Sequence, residues 1–343
     1  MAFQNPGGGE NVMLKLKETL TAMGHEVDIF APALSEISRY DVFHHFSCVD
    51  MDLWAYFKGN FPEVPLIVTP TIYLERSSRQ WLRWKIHLWG LRMEQRAFGT
   101  RENYFQYPDI WLPATESESG ILKDYYGLAK EQMRVLPNGV APQFSLLDPE
   151  PFRRQSGVRG AFVLHVGRFH PVKNQRTLLR ACAAKGLQAV FIGGADEGYA
   201  DYRDACVQLG RRLEQEDKSG KTKFHFFGHQ AFGSEFLRSA YSAASVFALP
   251  SEFETFGIAA LEGMVAGKPL VLSDKMADKN IFPGARFVDP KAEAAWAEAL
   301  DESIRTNFIP DKALIAKTLE KYSWNSIAGQ LLDCYREAIH GAS

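Results

Sequence analysis

VGRFHPVKN (166–174) and PSEFETFGIAALEGMVAGKPLV (250–271) decide the fold class of this chain. Each follows a short apolar run, Phe162–Val166 in the first case and Val246–Leu249 in the second, and each opens onto a helical pattern. Strand, glycine-bearing turn and helix is how an α/β protein presents helix N-termini and fixed charges to a phosphate. The first stretch adds two cations, Arg168 and Lys173, suited to a diphosphate. The second adds two carboxylates, Glu254 and Glu262, suited to sugar hydroxyls. The two sets of charges together imply a nucleotide-sugar ligand.

Outward from these stretches, strand-like apolar runs alternate with helical periodicity, the pattern of parallel sheets. The first half predicts strands near Val27–Phe30, Val42–His45, Leu66–Thr69, Ile110–Pro113 and Met133–Leu136. The stripe Val12, Met13, Leu16, Leu20 and Met23 predicts a helix over 10–23 with Gly24 as its C-cap. Polar residues and prolines over 142–157 mark a boundary, after which a fresh series begins: Phe162–Val166, Ala189–Ile192, Lys223–Phe227, Val246–Leu249 and Pro269–Leu272. The expected architecture is α/β, two Rossmann-like domains (1–145 and 146–322) facing each other across a cleft. A last helix, Trp324 through Ile339 within 323–343, either caps the second domain or crosses back to the first.

A chain of 343 residues, 46% hydrophobic, can bury two ordinary cores. The net charge of −2 offers no basic field for nucleic acid. Cys48, Cys182, Cys206 and Cys334 are widely spaced without a CxxC, which suits a reducing cytosol and no structural zinc. With neither a spanning apolar run nor a secretory segment at its start, the expectation is a cytoplasmic enzyme.

Gly7-Gly8-Gly9 before the first helix can bring backbone N–H groups close to a ligand, or can be a plain tight turn; GxGxxG fails because position 12 is Val. Arg168 and Lys173, five apart across a turn containing Pro171, can converge on one pyrophosphate and stabilise the charge a leaving nucleoside diphosphate gains. The plainer alternative is a pair of solvated charges. Glu254 falls in the loop and Glu262 about five residues into the following helix, an axial separation of roughly 7–10 Å at the α-helical rise. The plainer alternative there is an N-cap and an exposed helix charge.

VGRFHPVKN, FFG (226–228) and ALPSEFETFGIAALEGMVAGKPLV, with the Glu-x7-Glu spacing, resemble the C-terminal half of family 4 retaining glycosyltransferases of the GT-B fold. The resemblance extends to Gly193-Gly194, LPNGV (136–140), GHEV (24–27) and YSW (322–324). It implies an acceptor-side first domain, a donor-binding second domain, and sugar transfer with retention, without metal or cofactor. Arg168 and Lys173 would grip the donor phosphates, and Glu262 the ribose. Glu254 would contact the donor sugar beside the N–H groups of Phe256, Gly257 and Ile258. The catalytic set is then Arg168, Lys173 and Glu254. Phe227 and Gly228, with His229, would neighbour the base, and Gly8 and Gly9 would face the donor from the first domain. Asp50-Met51-Asp52 spells a DxD metal motif in the wrong half and is taken as ordinary surface.

Three departures stand out. Only six residues precede Gly7, so a very short first strand or an exposed sheet position is expected. Thr71 stands where the family usually has His, and Ala141 replaces the usual Asp after NGV. Residues 76–96 carry six Arg or Lys among Trp81, Trp84 and Trp89. Such a helix can lie peripherally on an anionic membrane at its inner face, hold a lipid-linked acceptor's phosphate, or pack its apolar stripe on the first domain. His44 and His45 either line the cleft or serve as core or surface residues. The expected activity is transfer from a UDP- or GDP-linked sugar to an oligosaccharide or lipid-linked acceptor in cell-surface glycan synthesis. The alternatives are an inactive nucleotide-sugar-binding or scaffold subunit, and a nucleotide-sugar epimerase.

Overall fold

The computed structural model describes residues 8–30, 37–47, 51–70, 104–145, 148–195, 198–306 and 311–341. Gly7, Cys48, Asp50, Thr71 and the basic stretch 76–96 lie outside the described residues. The chain divides into two compact units, Met1–Gly139 with Trp324–Ser343, and Val140–Ser323.

The first unit carries a parallel sheet ordered β1 (Phe43–Phe46), β2 (Leu66–Thr69), β3 (Ile110–Trp111). Leu66, Ile67 and Val68 are all fully buried, the unbroken apolar run of a strand covered on both faces. Around them pack Trp54, Phe57, Phe105 and Trp111, with the Trp54 and Trp111 rings edge-to-face at 5.5 Å. The first helix spans Gly8–Ala22 and packs against Trp324–Gly341. It starts before the predicted Glu10, so Gly8 and Gly9 form its first turn instead of a loop ahead of it. Gly24, at φ 94°, ends it, and the His25 N–H returns to the Leu20 carbonyl at 3.1 Å.

Two expected strands are not formed. Val27–Phe30 has no ladder; Asp28 and Glu26 instead pair with Arg39, and Phe30 packs edge-on against Phe43 at 5.3 Å. An apolar run becomes a strand only with a neighbour to pair with, and this one has none among the described residues. Met133–Leu136 makes a single bridge, from Met133 to Trp111, before Pro137 ends the run. Gly139 of LPNGV and Trp324 of YSW meet within this unit. A Cβ on Gly139 would fall 2.4 Å from the Trp324 ring, which explains why a glycine stands there.

The second unit holds six parallel strands: β4 (Val163–Val166), β5 (Gln188–Ile192), β6 (Lys223–Phe227), β7 (Val246–Leu249), β8 (Leu270–Ser273) and β9 (Arg286–Val288). Their order is β6-β5-β4-β7-β8-β9. Running outward from β4 in one direction and from β7 in the other, this is a doubly wound sheet with its topological switch point between β4 and β7. Its core runs through Phe169, Leu178, Leu179, Phe191, Val246, Val271 and Trp296. β9 was not expected from the sequence, because three residues beginning with an exposed arginine make no apolar run.

Candidate active site

Ligands of open α/β sheets bind beyond the carboxyl ends of the strands where the winding reverses. Here that place is formed by the turn after β4 (Gly167–Asn174) and the loop after β7 (Pro250–Gly257), the two stretches with which the sequence begins to speak. The Glu252 N–H donates to the Val172 carbonyl at 2.7 Å, stitching loop to turn. Across this seam Lys173 Nζ meets Glu254 Oε2 at 2.6 Å, and Ser251 Oγ donates to the same oxygen at 3.2 Å. The side chains keep 26% and 12% of their exposure, so the pair is sheltered but reachable. Arg168 is exposed on the same turn.

Gly257 is the N-cap of the helix Ile258–Val265, with φ 82°. A side chain there would strain the backbone and fall 2.7 Å from Met276 Cε and 3.4 Å from Glu254 Cγ. The first N–H groups of a helix have no partner within it, and Gly257 and Ile258 open this helix three and four residues after Glu254. The Phe256 side chain does not share the site; it is buried edge-on toward Tyr322, with ring centroids 6.2 Å apart.

Glu262 is 3% exposed and accepts the Tyr241 hydroxyl at 2.8 Å, so it is not a solvated helix charge. Burial pushes its carboxyl up to about 8, and the hydrogen bond from Tyr241 offsets only part of this. The folded protein therefore holds this proton more tightly than the unfolded chain, whose reference is 4.5. The stabilisation is complete below that reference and is lost as pH rises through about 8. Glu262→Gln is neutral at every pH. It should melt close to the parent protein near pH 5 and several degrees above it near pH 9. A melting difference that stays constant across that range would show that the carboxyl does not carry the proton.

Phe227 closes β6 and packs against Phe236 at 5.3 Å, and Gly228 follows it, exposed. The Phe227 carbonyl accepts the Gly193 N–H at 3.1 Å, and a Cβ on Gly194 would touch His229 at 3.5 Å. The loop Phe227-Gly228-His229 therefore adjoins the Gly193-Gly194 turn. Gly193 itself lies against Gly167: a Cβ on it would fall 2.1 Å from the Gly167 carbonyl oxygen.

Gly8 and Gly9 belong to the first unit, where a Cβ on Gly9 would meet no atom within 4 Å. In that unit His44 is hydrogen-bonded to Tyr335 and to Thr69, both at 2.8 Å, and Trp54 Nε1–H donates to His45 at 2.6 Å. Burial first, and then the neighbouring His45, hold the His44 pKa down to about 3. Asp52 of the DxD-like triplet accepts the Tyr104 hydroxyl at 2.6 Å. Among the described residues no group of three or more His, Cys, Asp or Glu could hold a metal ion, and no helix is long and apolar enough to cross a membrane.

Sequence reasoning did not find Tyr241, Gln175, His165 or Asn174, all of which support the site. They sit on other elements at unremarkable spacings, and only folding brings them together.

Residues 160–306 match the family described as "Glycosyl transferases group 1". The D-inositol 3-phosphate glycosyltransferase of Stackebrandtia nassauensis is 30% identical over 253 residues, 67% of this chain and 54% of that one. The chain thus spans about half the length of that curated relative. Among solved structures, sucrose-phosphate synthase of Thermosynechococcus elongatus superposes with TM-score 0.75 at 20% identity, covering 98% of this chain and 94% of that one. Anabaena Alr3699/HepE in complex with UDP-glucose superposes with TM-score 0.74 at 18% identity, covering 97% of each chain. These neighbours share the two-domain GT-B fold. Residues 160–306 of this chain thus form a glycosyl transferases group 1 domain.

Proposed function

We propose that this chain is a family 4 retaining glycosyltransferase that moves a sugar from a UDP- or GDP-linked donor to an oligosaccharide or lipid-linked acceptor. The observation that carries the reading is the Lys173–Glu254 pair at the switch point, a cation and a carboxylate 2.6 Å apart at the mouth of a glycine-capped helix. A nucleoside diphosphate sugar presents the complementary groups: phosphate oxygens for Lys173, Arg168 and the helix N–H groups, and sugar hydroxyls for Glu254. The family match over 160–306 and the UDP-glucose complex of a structural neighbour support the donor class.

As the glycosidic bond breaks, negative charge builds on the leaving diphosphate. Fixed cations stabilise that charge more than they stabilise the bound donor. In this reading the acceptor hydroxyl attacks from the face the diphosphate leaves, which retains the configuration, and the leaving phosphate oxygen takes its proton. Glu262, held by Tyr241, is assigned to the ribose hydroxyls.

The test is a thermal melt with UDP, GDP and ADP, alone and as sugar conjugates. Ligand at about 100 times its dissociation constant should add about 2.7 kcal/mol of stability, a shift of several degrees. No shift with any of them would overturn the donor reading. Glu254→Gln supplies the contrast: it keeps a hydrogen-bonding side chain but releases Lys173 from its carboxylate. Nucleotide affinity should hold or rise while sugar transfer falls. A variant that transfers sugar at the parent rate would remove Glu254 from the catalytic set.

A further inference from the structure

We propose that Gln175 and His165 are positioning residues that latch the phosphate-binding turn onto the opposite half of the switch point; the proposal rests on the donor reading above. Gln175 is fully buried. Its Nε2 donates to the Arg168 carbonyl at 2.8 Å and lies 3.3 Å from His165 Nε2. His165, 1% exposed on β4, places Nδ1 3.0 Å from the Ala248 carbonyl on β7.

The proton positions follow from these partners. A carbonyl can only accept, so His165 Nδ1 carries the hydrogen and, in a neutral ring, Nε2 accepts. The Gln175 amide must then spend both its hydrogens, one on Arg168 and one on His165. Turning the amide over would set Oε1 against the Arg168 oxygen, so the orientation is fixed. The consequence is visible on its other atom: Gln175 Oε1 is buried with no hydrogen-bond partner. A buried acceptor left unpaired is uncommon, and here it accompanies two directed donations.

Burial holds the His165 pKa down to about 4, the Ala248 bond opposing this and the charge of Lys173 reinforcing it. The ring is therefore neutral near pH 7, as the chain of donors requires. Asn174, in left-handed conformation at φ 54°, adds a parallel tie: its Nδ2 donates to the Pro250 and Pro290 carbonyls at 3.2 and 2.9 Å. Arg168 and Lys173 thus stand on a turn whose backbone is gripped at both ends, by Gln175 at Arg168 and by Asn174 one residue past Lys173. Both grips run to the carbonyls around Ala248–Pro250, where the Glu254 loop begins.

The test uses Gln175→Met, which keeps length and loses both donations, and His165→Asn, whose shorter amide can still donate to Ala248 but has no acceptor at the Nε2 position for Gln175. Two quantities are read in the full chain: amide exchange over 167–174, and the ratio of the dissociation constants of uridine and UDP. In Gln175→Met, exchange in the turn should quicken and the UDP preference should fall by about tenfold, the worth of a lost buried hydrogen bond. His165→Asn should fall between the two, and carries the comparison alone if Gln175→Met does not fold. A merely structural role would lower stability without changing the ratio. A folded Gln175→Met with parental exchange and parental ratio overturns the latch. A parent protein with no preference for UDP, GDP or ADP over their nucleosides overturns the donor reading, and the exchange comparison still decides the latch.

Discussion

Lys173→Ala should slow sugar transfer by about 10²–10³-fold, the cost of removing one preorganised group that stabilises transition-state charge. In the proposed reading the side chain acts twice. It would bring a positive charge to the diphosphate, and it holds Glu254 at 2.6 Å in a position only 12% exposed. Without it the carboxylate loses its ion partner, keeping the Ser251 hydroxyl, and repels the approaching phosphates. UDP or GDP affinity should therefore fall along with the rate. The two contributions separate in a double-mutant cycle with Glu254→Gln. If the carboxylate's repulsion dominates, the double variant recovers nucleotide affinity but not transfer. Lys173→Arg should rescue only in part, because a planar fork cannot replace a point charge across a gap this short. Transfer and nucleotide affinity both at parent levels in Lys173→Ala would take Lys173 out of the site.

Gly193→Ala should be the most destabilising single methyl that can be added near the site. The new carbon would stand 2.1 Å from the Gly167 oxygen and 2.7 Å from its carbonyl carbon, both backbone atoms that no rotamer change can move. Relief requires β4 and β5 to part where the Gly167 N–H donates to Ile192 at 3.0 Å and the Phe169 N–H to Gly194 at 2.7 Å. Overpacking together with lost ladder bonds should cost about 3 kcal/mol or more, roughly 6–12 °C in a unit of this size. Nucleotide affinity should drop as well, since the same movement displaces Arg168. Gly228→Ala is the internal control, for a Cβ there meets no atom within 4 Å and its stability should be close to the parent's. Equal melting temperatures for the two variants would show that the close approach at Gly193 is not fixed in solution.

The strands of the second unit were legible because parallel strands covered on both faces read as unbroken apolar runs, and Val246–Leu249 is such a run. Val27–Phe30, interrupted by Asp28, has no partner strand among the described residues, and pairing is not written in one segment alone. The charge types of the site could be read from spacing after a strand. Their mutual pairing could not, since 81 positions separate Lys173 from Glu254. Glu262 looked like either a ribose ligand or a surface charge. Its burial against Tyr241, on another helix, is a tertiary fact, as is the demand for glycine at 193, which arises from a neighbour 26 positions earlier.

The way the second unit is attached has a further consequence. Val140 and Ser323 form a parallel bridge, and the Val140 N–H donates to the Tyr322 carbonyl at 2.7 Å. The chain of the second unit therefore begins and ends at paired residues. Its length can grow or shrink at any outlying loop without altering the gap between Gly139 and Trp324. Those two residues stay fastened to each other by ring-on-backbone contact. Loop insertions within the second unit can therefore lengthen it without separating its two ends.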